Sequence, residues 1–374
     1  MTSSKPPLIW LNIFIFTSTL LIAVIGAPLY AYFVGFDWTQ WAMLLAAFSY
    51  CGMSITAGYH RLWSHKAYEA NAVMRFIFAV GGAFALQNSI LHWSSDHRIH
   101  HRHVDNNEKD PYSAKMGFFY SHIGWMLREY QANRYSDYSN CRDLQKDKIV
   151  MWQHKYYVPL AVATNFGIPL LFGLWHGDIW GALLLVGIVR LVLSHHTTFF
   201  INSLAHIWGS QPYTDKNTAR DNGFLALLTF GEGYHNYHHI FEYDYRNGIR
   251  WWQFDPTKWL IKSCAWMGMA KNLKVCPEDR IEKAKATMQL QRLQQKLEAV
   301  PNSHACLEML NQEYEILLHK IADYYGAKKR MLELKKNDLL KQYESFEFLQ
   351  QYREMKYRLE MQRKVWKQLT AQYA

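Results

Sequence analysis

The stretch WAMLLAAFSYCGMSITAGY, residues 41–59, carries no charged side chain and runs directly into His60. As a helix rising about 1.5 Å per residue it just crosses a hydrocarbon core of roughly 30 Å. It therefore reads as a transmembrane helix that delivers a histidine to one membrane surface. Upstream, residues 8–34 form a second apolar run with no charge until Asp37. That run is too long for a signal-peptide core and lacks its flanking pattern, so it reads as the first span. Downstream, the apolar run 72–91 is broken by Arg75, Gly81-Gly82 and Gln87-Asn88, which suits a buried or interfacial helix. Residues 156–175 and 179–201 make a helical pair joined by His176-Gly177-Asp178.

The expected fold class is thus an all-α integral membrane protein with four transmembrane helices, about 8–34, 41–59, 156–175 and 179–201. No Lys or Arg lies in 35–40 or 176–178, whereas 60–155 holds Arg61, Lys66, Arg98, Arg102, Lys109 and Arg128, and more cations follow Trp208. The positive-inside rule then puts both termini and the cap segments 60–155 and 202–277 in the cytoplasm. Trp10, Trp38, Trp41, Trp175 and Trp180 suit the interfacial aromatic belt.

Residues 1–277 read as the membrane-embedded domain and 278–374 as a helical basic tail. Leu290, Leu293 and Leu297, the breaker Pro301, and apolar positions 314, 317, 321 and 324 predict amphipathic helices in a hairpin or short coiled coil. A later helix over about 327–370 carries Lys328-Lys329-Arg330, Lys335-Lys336 and Arg363-Lys364. Its expected roles are a solvated face, docking on anionic lipid or a partner, and self-association. The net charge of +10 is spread over tail and inter-span segments, which fits a membrane surface and not nucleic acid. Five cysteines without a C-x-x-C pair indicate neither a disulfide framework nor a thiolate metal site.

Eight of the 18 histidines fall in three clusters: His60 and His65; His97, His100 and His101; and His235, His238 and His239. On a helix, positions i, i+3 and i+4 share a face, so each triplet sets three imidazoles side by side. Imidazole is the commonest metal ligand. His60 and His65 would lie about 140° apart on a continuous α-helix, so they converge only if the helix unwinds there. Asn202 and His206, at i and i+4, add a ninth imidazole. One zinc takes only three or four ligands, whereas two ions with about five ligands each, water included, use them all. All-nitrogen ligation suits Fe, Zn, Cu or Ni, and the high count favours iron. Soluble carboxylate-bridged di-iron bundles need two E-x-x-H motifs, but only Glu232 to His235 lies near these clusters. Asp96 and Glu232 adjoin the histidine runs and are expected to orient ligands through their outer nitrogens. His195 is expected to line a cavity or hydrogen-bond below the cap, while His92, His103 and His122 read as supporting groups.

HRLWSH at 60–65, DHRIHH at 96–101, NSLAH at 202–206 and GEGYHNYHH at 231–239 together resemble the membrane-bound fatty acyl desaturases, specifically the acyl-CoA delta-9 type. Asp110-Pro111, residues 117–125 and Asp221-Asn222-Gly223 extend the resemblance, which covers about 10–262. It implies four membrane helices under a cytosolic cap that holds two iron ions. It also implies the ligands His60, His65, His97, His100, His101, His206, His235, His238 and His239, with Asn202 acting through water. The implied reaction inserts a cis double bond into a long-chain saturated acyl-CoA, or a lipid-linked acyl chain, with O2 reduced to water. No His-Pro-Gly-Gly haem motif occurs, so the expected electron donor is a separate ferredoxin, rubredoxin or cytochrome b5 with its reductase. The form expected is bacterial-like, in the inner membrane.

Chain-length selection requires a buried apolar tunnel of fixed depth. Leu44 and Phe48, below His60, are candidates for its floor. Gln87, Asn88 and Trp93 are candidates for its mouth, and Arg250 for the CoA phosphates. The alternatives are a hydroxylase on the same scaffold and, from another class, a metal transporter or sensor. Transport needs ionisable residues along the spans, which apart from Arg190 and His195-His196 offer almost none.

Overall fold

Four uninterrupted apolar helices dominate the computed structural model, which describes residues 6–131, 134–336 and 342–373, with the side chains of 335, 336 and 342–345 outside that description. The membrane-length helices are α1 (Trp10–Phe33), α2 (Trp38–Ser64), and later Tyr157–His176 and Ile179–His206. Between them lie α3 (Ala72–Phe84), α4 (Ile90–His103), α5 (Phe118–His122) and α6 (Lys148–Lys155). The second pair is then α7 (Tyr157–His176) and α8 (Ile179–His206). The cap continues with α9 (Gly223–Leu228), α10 (His235–Ile240) and α11 (Pro256–Trp266).

Two spans run further than the apolar pattern indicated. With 27 residues α2 is roughly 40 Å long, some 10 Å more than a hydrocarbon core needs. The excess carries His60 beyond the apolar layer, and the extension of α8 does the same for His206. By contrast, the run 72–91 splits. α3 stops at Phe84, Leu86 and Asn88 take left-handed backbone (φ 51° and 74°), and Ser89 caps α4 by accepting from His92 N.

Polar contacts hold the helices at both ends. Asp178 caps α8 and also accepts from Tyr30 Oη (2.7 Å) on α1 and Gln40 Nε2 (2.8 Å) on α2. Nearer the cap, the buried Arg190 guanidinium donates to the Phe84 carbonyl (2.7 Å) and Asn165 Oδ1 (2.8 Å), and lies 3.8 Å over the Phe84 ring. Arg190 thus ties α3, α7 and α8 together. A two-residue ladder, Glu69↔Lys271 and Ala70↔Ala270, joins the exit of α2 to the segment after α11.

The chain divides into two compact units, the second comprising residues 211–216 and those from 276 onward. That unit contains α12 (Glu278–Glu298), α13 (His304–Lys336) and α14 (Gln342–Gln372). Leu290, Leu293, Leu297, Leu310, Leu317, Ile321, Leu359 and Trp366 form its core. The tail boundary expected near 327 does not exist. α13 continues through Gly326, because a lone helical glycine costs only about 1 kcal/mol and nothing there breaks the hydrogen bonding. α13 is described to Lys336 and α14 from Gln342; residues 337–341 and the Lys335-Lys336 side chains lie outside the described residues.

Candidate metal centre

α2 does not unwind to bring His60 and His65 together. It widens. Over Ser54–Ser64 the hydrogen bonds run i→i+5, and His65 N donates to His60 O at 3.1 Å. Five residues then make roughly one turn, and the two rings sit 4.8 Å apart between centroids. The change at the end of α8 is the opposite one: α-helical bonding stops at Asn202 and tightens to a 3-10 turn over Leu204–His206. Asn202 is half-buried at that junction.

The nine histidines converge, but not by cluster. His60, His65, His97, His101 and His238 form one group and His100, His206, His235 and His239 the other, with candidate ligand atoms within 4.8 Å of one another in each. The α4 triplet and the α10 triplet are both split between the groups, so no single helix builds either one.

Six Nε2···Nε2 separations fall between 2.8 and 3.3 Å. Two nitrogens at right angles on an ion, each about 2.1 Å from it, would be about 3.0 Å apart. His238 Nε2 has two such neighbours, His60 at 3.0 Å and His101 at 3.0 Å. One imidazole carries at most one proton on that atom, so proton sharing cannot satisfy such a network, whereas a cation at each focus would.

The outer nitrogens point the same way. His60 Nδ1 lies 2.9 Å from Glu232, His100 Nδ1 2.9 Å from Asp110, and His101 Nδ1 3.0 Å from Glu242. Carboxylates only accept, so each Nδ1 carries the proton and leaves the Nε2 lone pair facing inward. His206 Nδ1 meets Thr218 Oγ1 at 2.8 Å, and His97 Nδ1 meets Tyr112 Oη at 3.2 Å. Burial, then neighbouring imidazoles, hold His65, His97, His235, His238 and His239 well below the usual histidine range. Burial lowers His101 to about 4 even with Glu242 beside it. These six are therefore neutral near pH 7, the form that binds metal.

This histidine pattern has known counterparts: the model of the family described as fatty acid desaturase matches residues 36–270. The chain belongs to that family. It is 48% identical over 237 residues to a probable acyl-CoA desaturase of Schizosaccharomyces pombe, covering 63% of this chain and 49% of the relative. It is 42% identical over 256 residues to acyl-CoA desaturase 1 of Saccharomyces cerevisiae, covering 68% and 50%. An acyl-CoA Delta(11) desaturase of Trichoplusia ni is 36% identical over 269 residues, covering 70% and 77%. The chain spans about half the length of the two yeast relatives.

Within this desaturase-family chain, Glu232 is held on both sides. Arg61, itself buried, donates to Glu232 Oε1 (2.9 Å), Asp255 Oδ2 (3.1 Å) and the Tyr245 carbonyl (2.8 Å), while Asn247 Nδ2 donates to Glu232 Oε2 (2.6 Å). Burial pushes the Glu232 carboxyl up, but His60 and Arg61 outweigh it and bring it to about 2.

Asp96 behaves differently from the expectation. It accepts from Arg134 (2.6 and 2.8 Å) and faces His92 (3.3 Å), touching none of the nine. On α4 it points away from the face that carries His97 and His101, and the Arg134 guanidinium, stacked 4.2 Å over Trp125, captures it.

Leu44 is buried on α2, and the half-buried Phe48 ring lies 5.3 Å from Phe230, which nests where Gly52 lacks a side chain. Gln87 Nε2 donates to Thr198 Oγ1 at 2.8 Å; Asn88 accepts from Tyr59 Oη through its carbonyl (3.2 Å) and donates from its backbone N–H to Tyr157 Oη (2.8 Å). Trp93 stacks on His97 at 4.9 Å. Arg250 is exposed beside Trp252. His195 hydrogen-bonds the Leu86 carbonyl at 3.1 Å, and His122 meets Ser203 Oγ at 3.0 Å, so neither joins the two groups.

Sequence reasoning missed Glu242, Tyr112, Asp105 and Thr218, and used Asp110 only as part of a motif. A carboxylate three residues after His239 was the available signal for Glu242. Tyr112 and Thr218 carry no spacing signal, because loops bring them in.

Proposed function

We propose that this chain is an O2-dependent acyl-CoA desaturase that inserts one cis double bond into a long-chain saturated acyl group, at the delta-9 position. One observation carries the reading: nine imidazoles with Nε2 inward, in two adjoining groups, at one end of four apolar spans. A pair of iron ions bound there would supply the oxidising power, drawn from O2, that side-chain acid–base chemistry lacks for unactivated methylene groups.

The chain's own residues do the rest. Glu232, Asp110 and Glu242 orient the rings, and Asn202 contributes through water. Trp93, packed against His97, with Gln87 and Asn88, guides the acyl chain past the histidines, while Leu44 and Phe48 limit its depth. Arg250 receives the CoA phosphates. Excluding water from this apolar path keeps the reaction on the chain. Electrons arrive from a separate carrier, a ferredoxin, rubredoxin or cytochrome b5 with its reductase, on the cytoplasmic side where the histidines lie.

The test is expression in a desaturase-deficient host with each donor in turn, followed by fatty-acid profiling. The intact chain yields new cis alkenes and His100→Ala yields none. Disulfide-adduct mass spectrometry reads the double-bond position, which differs among desaturases. A hydroxy acid in place of an alkene, or no product with any donor, overturns the proposal.

A further inference from the structure

The outer partners of the two histidine groups are not equivalent. In the four-histidine group, His100 ends on Asp110, whose side chain is 0% exposed and which also accepts from the backbone N–H groups of Asp105 and Tyr112. His206 ends on Thr218, which donates in turn to Asp105 Oδ1 at 2.7 Å. In the five-histidine group, His60 ends on Glu232, 3% exposed and fixed by Arg61 and Asn247.

Glu242 differs from all of these. Its side chain is 53% exposed, yet Oε2 lies 3.0 Å from His101 Nδ1 and 3.8 Å from His65 Nδ1. His65 follows the widened end of α2 and His101 lies on α4, so one surface carboxylate stands beside two elements of a single group, within hydrogen-bond reach of His101 alone. Among the described contacts, Glu242 is paired with these two imidazoles alone.

A carboxylate that accepts the outer N–H of a ligating histidine fixes the ring and strengthens the inner nitrogen as a donor. We infer that Glu242 is a positioning residue for the five-histidine group: it holds His101 with Nε2 inward, stands beside His65 without hydrogen-bonding it, and makes metal affinity there depend on a solvent-facing carboxylate. The four-histidine group has no such dependence. The inference rests on the proposed metal binding but not on the reaction.

The test uses the full chain in detergent, stripped of metal and titrated with Co2+, with visible absorbance and metal content as readouts. The unaltered chain takes up two ions. Glu242→Ala weakens one step about 10-fold or more, and Glu242→Gln weakens it less, because the amide oxygen still accepts. Thr218→Val, which removes the acceptor facing His206 Nδ1, weakens the other step. In a His101→Ala background Glu242→Ala changes His65 alone, so its effect shrinks. Melting of the metal-free Glu242→Ala protein matches that of the unaltered chain. Both steps of Glu242→Ala within twofold of the unaltered chain, or loss in the same step as Thr218→Val, overturns the inference while leaving the two-metal reading intact. Failure of the unaltered chain to bind two Co2+ ions overturns both.

Discussion

His100 and His101 are adjacent on α4, with rings perpendicular and 5.6 Å apart, yet they serve different histidine groups: His100 Nε2 lies 3.3 Å from His239 and His101 Nε2 3.0 Å from His238. One peptide unit therefore links the two histidine groups.

Single substitutions at this pair should separate the positions. His100→Ala and His101→Ala each reduce bound metal from two ions per chain toward one. The desaturation yield of either falls below roughly a hundredth, since loss of a direct ligand exceeds the about 10–100-fold cost of losing an outer partner. Metal analysis beside product yield checks this. A variant that keeps both ions would contradict the assignment of its histidine.

Asp96→Ala should leave metal content unchanged, because Asp96 pairs with Arg134 and His92 and not with the nine. It removes the only carboxylate described on a nearly buried guanidinium, so unfolding becomes easier by about 3–5 kcal/mol. Thermal melting and metal analysis on the same sample decide between this and the role first read from its place in the motif.

Acid should destabilise the metal-free protein early. The folded-state pKa values of His65, His97, His235, His238 and His239 lie well below the ordinary histidine value, as does that of His92 at about 4. Groups depressed in this way bind more protons when unfolded, so their stabilisation is complete above about pH 6.5 and drains away as pH falls toward the folded values. Each contributes up to about 1.4 kcal/mol per pH unit within that window. A chelator-treated sample whose melting temperature stays level from pH 7 to pH 5 would rule out buried neutral imidazoles.

Chain-length preference should follow Leu44 and Phe48. Leu44→Ala and Phe48→Ala lengthen the accepted acyl chain by removing volume below His60, and total yield changes less than the product ratio does. Product profiling from mixed saturated chains measures this; an unchanged ratio in both variants removes these residues from the path.

Local pattern made much of this architecture legible. The four spans follow from uncharged runs long enough to cross a bilayer, and the histidine clusters follow from helical period. What the pattern missed has a common cause. Convergence of His60 and His65 depended on whether the helix would unwind or widen, a choice made by packing around buried residues 54–64. Asp96 and Glu242 exchanged expected importance because Arg134 and a loop after α10, far away in sequence, determine which carboxylate reaches an imidazole. The sequence by itself determined a four-span membrane protein with nine histidines gathered at one end. Only the tertiary structure decided the division of those nine into five and four. A helical period fixes which residues share a face of one helix, whereas ring-to-ring distances of about 3 Å depend on how α2, α4, α8 and α10 pack together.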